Sequence, residues 1–169
     1  MLKNIAIILT ENKIVDVIEF LKNLTDIDKY CLNKFCGFDF YVNKHFTTTE
    51  LWINSAIKGY TDVVEFYIND NIDVNVKNIH TNSALIYSTY YGNVEIVKLL
   101  LQHPKIDVNI QNDMGYTALM YATLYKKLEI INFLLQHKDI DINIKNGFDR
   151  CSSHYCDVKT LEAIPKNFM

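Results

Sequence analysis

Arginine is almost missing from this chain: Arg150 is the only one among 169 residues. Bidentate contacts to phosphate or guanine therefore have almost no source. The formal net charge of −3 supplies no basic face to displace counterions, so nucleic-acid binding is not expected. Glycine and proline are scarce too, with five and two copies, leaving no flexible or Pro-rich linker. Long apolar runs are also lacking. The longest near the start, Ile5 to Leu9, is far short of the roughly 20 residues a bilayer needs and too short for a secretory core. The expectation is an intracellular, cytoplasmic protein without a membrane partner, whose four cysteines remain thiols. What is present is a globular composition, 49% hydrophobic and 22% charged, sufficient for one domain with a real core.

The strongest signal is internal. "SALIYSTYYGNVEIVKLLL" at 83–101 returns as "TALMYATLYKKLEIINFLL" at 117–135, a spacing of 34 residues. Sixteen of thirty positions are identical between 83–112 and 117–146, and a period in the thirties marks a stacked array. Each copy has the same order of parts. A turn comes first, "NDMGYT", with Gly115 free to take φ > 0 and Thr117 placed to cap a helix over Ala118 to Tyr125. A second helix spans Leu128 to His137. In the earlier copy Ile96, Val97, Leu100 and Leu101 form one apolar stripe along it. The chain then becomes extended at "IDVNIQN".

This unit resembles an ankyrin repeat. The T-P-L-H-x-A box of that family is matched by "TALMYA" at 117–122 and "SALIYS" at 83–88, without the box proline and histidine. The terminal D-V-N is matched at Asp73-Val74-Asn75, Asp107-Val108-Asn109 and Asp141-Ile142-Asn143. Lys126 replaces the glycine supplied elsewhere by Gly59 and Gly92. The resemblance implies an all-α solenoid of helix–turn–helix units with short β-hairpin or turn fingers. In family terms, Asn75, Asn109 and Asn143 can be targets of an asparaginyl hydroxylase, with Leu101 and Leu135 at a plausible upstream spacing. From their residue type, these asparagines are expected to fix the hairpin backbone.

A weaker copy precedes, with Trp52 at the box leucine and Glu50 at the box threonine. Before it, residues 6–24 fit only the two helices, with Val15, Val17, Ile18 and Leu21 on the apolar face. The outward face carries Lys3, Asn4, Glu11, Asp16 and Lys22, as a polar cap should. The expected organisation is a capping half-repeat over 1–24, an aromatic insertion over 25–48, repeats over 49–77, 78–111 and 112–145, and a degenerate closing repeat over 146–169. His154 falls on the box histidine of that last unit, and Pro165 is expected to end it. The insertion holds four phenylalanines and is expected to pack on the array.

A solenoid leaves an extended concave surface of hairpin tips and short helices. The resemblance implies that ankyrin arrays bind other proteins there and do no chemistry. The candidate partner-binding residues at the short-helix ends are Ile57, Lys58, Tyr90, Tyr91, Leu124 and Tyr125. The tips add Ile79, His80, Asp113, Met114, Tyr116 and Phe148. Tyr91 and Tyr125 are 34 residues apart, so stacking places them side by side. Tyrosine suits a hot spot because it offers large amphipathic area for few rotamers. Equally, a composition rich in isoleucine, asparagine, lysine and tyrosine would scatter tyrosines on a wet face. Tyr87 and Tyr121, one turn earlier, align with a usually buried position and are expected in the core with satisfied hydroxyls.

Chemistry finds little support. Cys31 and Cys36, and Cys151 and Cys156, are two C-x4-C pairs, but they flank the array at opposite ends and cannot share a metal. No metal or other cofactor is expected. No nucleophile elbow, G-x-G-x-x-G or P-loop accompanies the Cys151/His154 pair, so no enzyme is expected. His103 and His137 recur at the end of the second helix, where a histidine can favour the helix dipole. The sequence reading is a monomeric, non-catalytic protein-binding module. The alternative is a structural or self-associating repeat protein with no foreign partner. Short ankyrin chains of this style resemble the multigene ankyrin families of large DNA viruses and some intracellular parasites, where they often engage host proteins. A viral or parasite origin would place this chain in the host cytoplasm.

Overall fold

The computed structural model describes residues 48–155, and from Trp52 onward these belong to one compact unit. The expected cap over 1–24, the insertion up to residue 47 and the segment beyond 155 lie outside the described residues. So do Cys31, Cys36 and Cys156.

Six helices follow in pairs: α1 (Thr48–Lys58) and α2 (Thr61–Asn69), α3 (Ala84–Tyr91) and α4 (Val94–Leu101), α5 (Ala118–Leu124) and α6 (Leu128–Leu135). A 3₁₀ turn over Ser152–Tyr155 takes the place of a fourth short helix. No strand occurs among the described residues; the fingers hold one isolated antiparallel bridge, Lys77 to Ser83.

The helix starts follow from capping chemistry. Ser83 and Thr117 sit in extended backbone, and each hydroxyl accepts the N–H three residues on, from Ile86 and Met120. The expected cap at Thr117 is therefore present. The first pair differs: α1 begins at Thr48, so Glu50 lies in its first turn rather than before it. Two-residue turns join the helices of the first two pairs, and a three-residue turn joins those of the third. Gly59 and Gly92 end α1 and α3 at φ 79 and 82, and Lys126 takes φ 55 at the same place after α5.

The short helices α3 and α5 pack on each other, and α5 packs on the 3₁₀ turn; behind them α2, α4 and α6 pack in order. The core fills the space between the two rows. Leu85, Ile86, Leu119 and Met120 enter it from the short helices, and Ile96, Val97, Leu100, Ile130, Ile131 and Leu134 from the long row. Trp52 is fully buried at the first pair and meets Tyr67 edge-on at 6.2 Å. Leu101, expected in the stripe, is only half-buried. Position i+5 has turned past the seam that Ile96, Val97 and Leu100 share.

The D-V-N loops sew the array together. Asp73, Asp107 and Asp141 each accept the N–H two residues on with a carboxylate oxygen, and so fix the turn. The asparagines reach instead to the next unit. Asn75 donates to Lys105 O at 2.7 Å and accepts from Asp107 N at 2.8 Å. Asn109 repeats this with Asp139 O and Asp141 N. Asn75 and Asn109 thus fix loop backbone as expected, but that of the following unit, while the aspartates fix the local turn. His103 and His137 likewise act by accepting: each Nδ1 takes the N–H two residues on.

Candidate functional site

The short-helix face carries an unbroken row of seven tyrosine rings. On α3, Tyr87 and Tyr91 stack at 6.4 Å; on α5, Tyr121 and Tyr125 stack at 6.3 Å and 7°. Residues four apart share a helix face, so each pair forms one ridge. Tyr90 joins the ridges, lying 5.1 Å from Tyr91, 5.8 Å from Tyr121 and 4.9 Å from Tyr125, edge-on to all three. Tyr116 and Tyr155 extend the row at 5.2 and 5.8 Å. Ring contact between the two ridges therefore runs through Tyr90, with Tyr91 at the outer end.

The finger loops hold these rings. Asn112 Oδ1 accepts the N–H groups of Met114 and Tyr116, while its Nδ2 donates to the Tyr121 hydroxyl at 3.0 Å. Asn78 holds His80 and Asn82 N–H and donates to Tyr87; Asn146 holds Phe148 and Arg150 N–H and donates to Tyr155. Each clamp spans nine residues and recurs every 34. Neighbouring fingers are tied by Asn112 Nδ2 on Asn82 Oδ1 and by Asp113 N on Thr81 Oγ1. Tyr155 donates onward to the Tyr116 hydroxyl. Tyr87 and Tyr121 thus have satisfied hydroxyls, as expected, but they are half-buried members of the exposed row rather than core.

Tyr91, Tyr125 and Tyr90 are 52%, 45% and 40% exposed. Leu124 joins them, and Ile79, Met114 and Phe148 stand exposed on the fingers. Lys58, His80 and Asp113 are exposed too, whereas Ile57 and Tyr116 are half-buried. The phenols lose protons less readily here. Burial raises Tyr121 and Tyr125, the latter helped by its bond with the Tyr90 hydroxyl, and the Tyr155 hydrogen bond raises Tyr116. Tyr116, Tyr121 and Tyr125 therefore present uncharged hydroxyl groups at neutral pH.

Sequence reasoning passed over the finger asparagines and Tyr155. Asn78/Tyr87, Asn112/Tyr121 and Asn146/Tyr155 were visible as a pair spaced by nine that recurs at the repeat period. Cys151 sits apart from the row, half-buried, with its Sγ 3.1 Å from Ser153 Oγ and 3.2 Å from His154 Nδ1. Those bonds, Ser153 foremost, hold its thiol below the usual range.

No curated protein matches the chain. The model of ankyrin repeats in three copies matches residues 4–112 and 51–146, which together span most of the sequence. With helix pairs stacked at a 34-residue period and joined by D-V-N loops, the chain belongs to the ankyrin-repeat family.

Proposed function

We propose that this array binds a partner protein through its short-helix face, with the tyrosine row at the centre of the contact. Ankyrin repeats are generally protein–protein interaction modules, and the family is typically non-enzymatic. The observation that carries the reading is the row itself: Tyr90, Tyr91 and Tyr125, exposed by 40% or more, pack against Tyr87 and Tyr121, whose hydroxyls the finger asparagines hold. Such rings give contact area without ordering cost, as hot spots require. Tyr90, Tyr91, Leu124 and Tyr125 form its centre; Ile57, Lys58, Ile79, His80, Asp113, Met114, Tyr116 and Phe148 form its borders. The repeats over 49–77, 78–111 and 112–145 supply this surface, and the protein acts as a monomer.

A pull-down from native lysate with wild type beside Tyr91→Ala/Tyr125→Ala tests this. A protein held by wild type and lost by the variant, with the melting temperature little changed, is the expected result. Equal retention would remove the row from the binding surface. The exposed Ile79, Met114 and Phe148 favour a second reading, contact between copies of the chain. A monomer in sedimentation at working concentration would sink it.

A further inference from the structure

The hydrogen-bonding state of the tyrosine row specifies its occupant. Each finger asparagine has its carboxamide orientation fixed, because its Oδ1 accepts two backbone N–H groups. Its Nδ2 must therefore donate into the phenol oxygen. A phenol that has accepted in this way keeps its own proton to give. Tyr87 accepts from Asn78 and Asn82, Tyr121 from Asn112, and Tyr116 from Tyr155. The face thus presents donors.

Charge at one border has the same sense. The short helices run from the fingers toward the turns after α1, α3 and α5. Lys58 and Lys126 stand exposed at that edge. Lys127 lies over the corner at Gly92, where an added methyl group would sit 3.1 Å from its Nζ.

A surface of stacked rings, hydroxyl protons to give on Tyr87, Tyr116 and Tyr121, and bordering ammonium groups fits a chain rich in acceptors and poor in donors. Proline has a carbonyl and no N–H. In polyproline II it also returns to the same face every three residues, about 9 Å. That matches the roughly 8–10 Å between packed helices, hence between the Tyr87/Tyr91 and Tyr121/Tyr125 ridges. We propose that the tyrosine row binds a proline-rich, acidic-ended segment of the partner in the polyproline II conformation. This rests on the short-helix face being the binding surface.

Calorimetric titration of the full chain with a proline peptide of about ten residues ending in glutamates tests it. Saturable binding is expected, weakened about tenfold or more by Tyr91→Ala/Tyr125→Ala. Tyr91→Phe/Tyr125→Phe, which keeps both rings, should weaken it less. Lys58→Glu should weaken the acidic-ended peptide and leave a neutral-ended one unchanged. Absence of saturation, or equal binding of a glycine–serine peptide with the same acidic end, would overturn the inference. If a partner captured from lysate depends on the tyrosines but is not displaced by the proline peptide, this inference fails while the surface assignment stands. A captured partner indifferent to the tyrosines fails both.

Discussion

Two structural positions demand φ > 0 in successive units, and the residues filling them differ. At the short-helix ends stand Gly59, Gly92 and Lys126; at the finger tips stand Thr81, Gly115 and Asp149. Only glycine takes this region without strain, which otherwise amounts to roughly 1–2 kcal/mol. Gly115 has a further reason to lack a side chain. A Cβ there would lie 2.8 Å from Asn146 Cα, inside the following finger. Thr81 offsets its strain by accepting Asp113 N, and Asp149 pairs with Lys145 at 2.8 Å. Lys126→Gly is therefore expected to raise stability by up to about 1 kcal/mol, read as a higher urea midpoint with an unchanged slope. No change, or a loss, would mean that the lysine side chain contributes more than its backbone conformation costs.

At the scale of elements, no helix among the described residues is longer than the 11 residues of α1. Isolated helices of this length are marginal in water, so each depends on its neighbours. Leu100 on α4 is fully buried, between the short-helix row and the flanking helices α2 and α6. Leu100→Ala should cost about 2–5 kcal/mol by urea unfolding. A loss well below that would mean the stripe yields and collapses around the smaller residue. The finger loops show how much depends on pairing between units. Asp107 fixes its own turn, a contact legible from local sequence. Asn109 bonds residues 30 and 32 positions away, and no local pattern specifies that reach.

For the molecule as a whole, tyrosine makes the array alkali-sensitive. Tyr67 is buried beneath Trp52, and burial first, then the Asp70 carboxylate, pushes its phenol up to about 12. The direction is the same for Tyr116, Tyr121 and Tyr125. A phenol in the unfolded chain ionises near pH 10 while folded Tyr67 keeps its proton. Its contribution is thus complete below pH 10 and lost as pH rises toward 12. Urea midpoints should fall between about pH 10 and pH 12, by roughly 2–3 kcal/mol in stability. Tyr67→Phe should remove most of that fall; an equal fall in the variant would assign it to the row instead.

The 34-residue period alone determined the helix pairs, the caps at Ser83 and Thr117, and the family, because each unit writes its own turn, cap and apolar stripe locally. It also placed Tyr90, Tyr91 and Tyr125 on one face. The tertiary structure decided what that face is. Stacking brought Tyr90 against the next helix, moved Tyr87 and Tyr121 from core to row, and set Asn146 on Tyr155 and Tyr155 on Tyr116. Those contacts join residues in different units or at opposite ends of a finger. Local sequence sets the pitch and facing of a helix, but only packing sets the distance and angle at which neighbouring units meet.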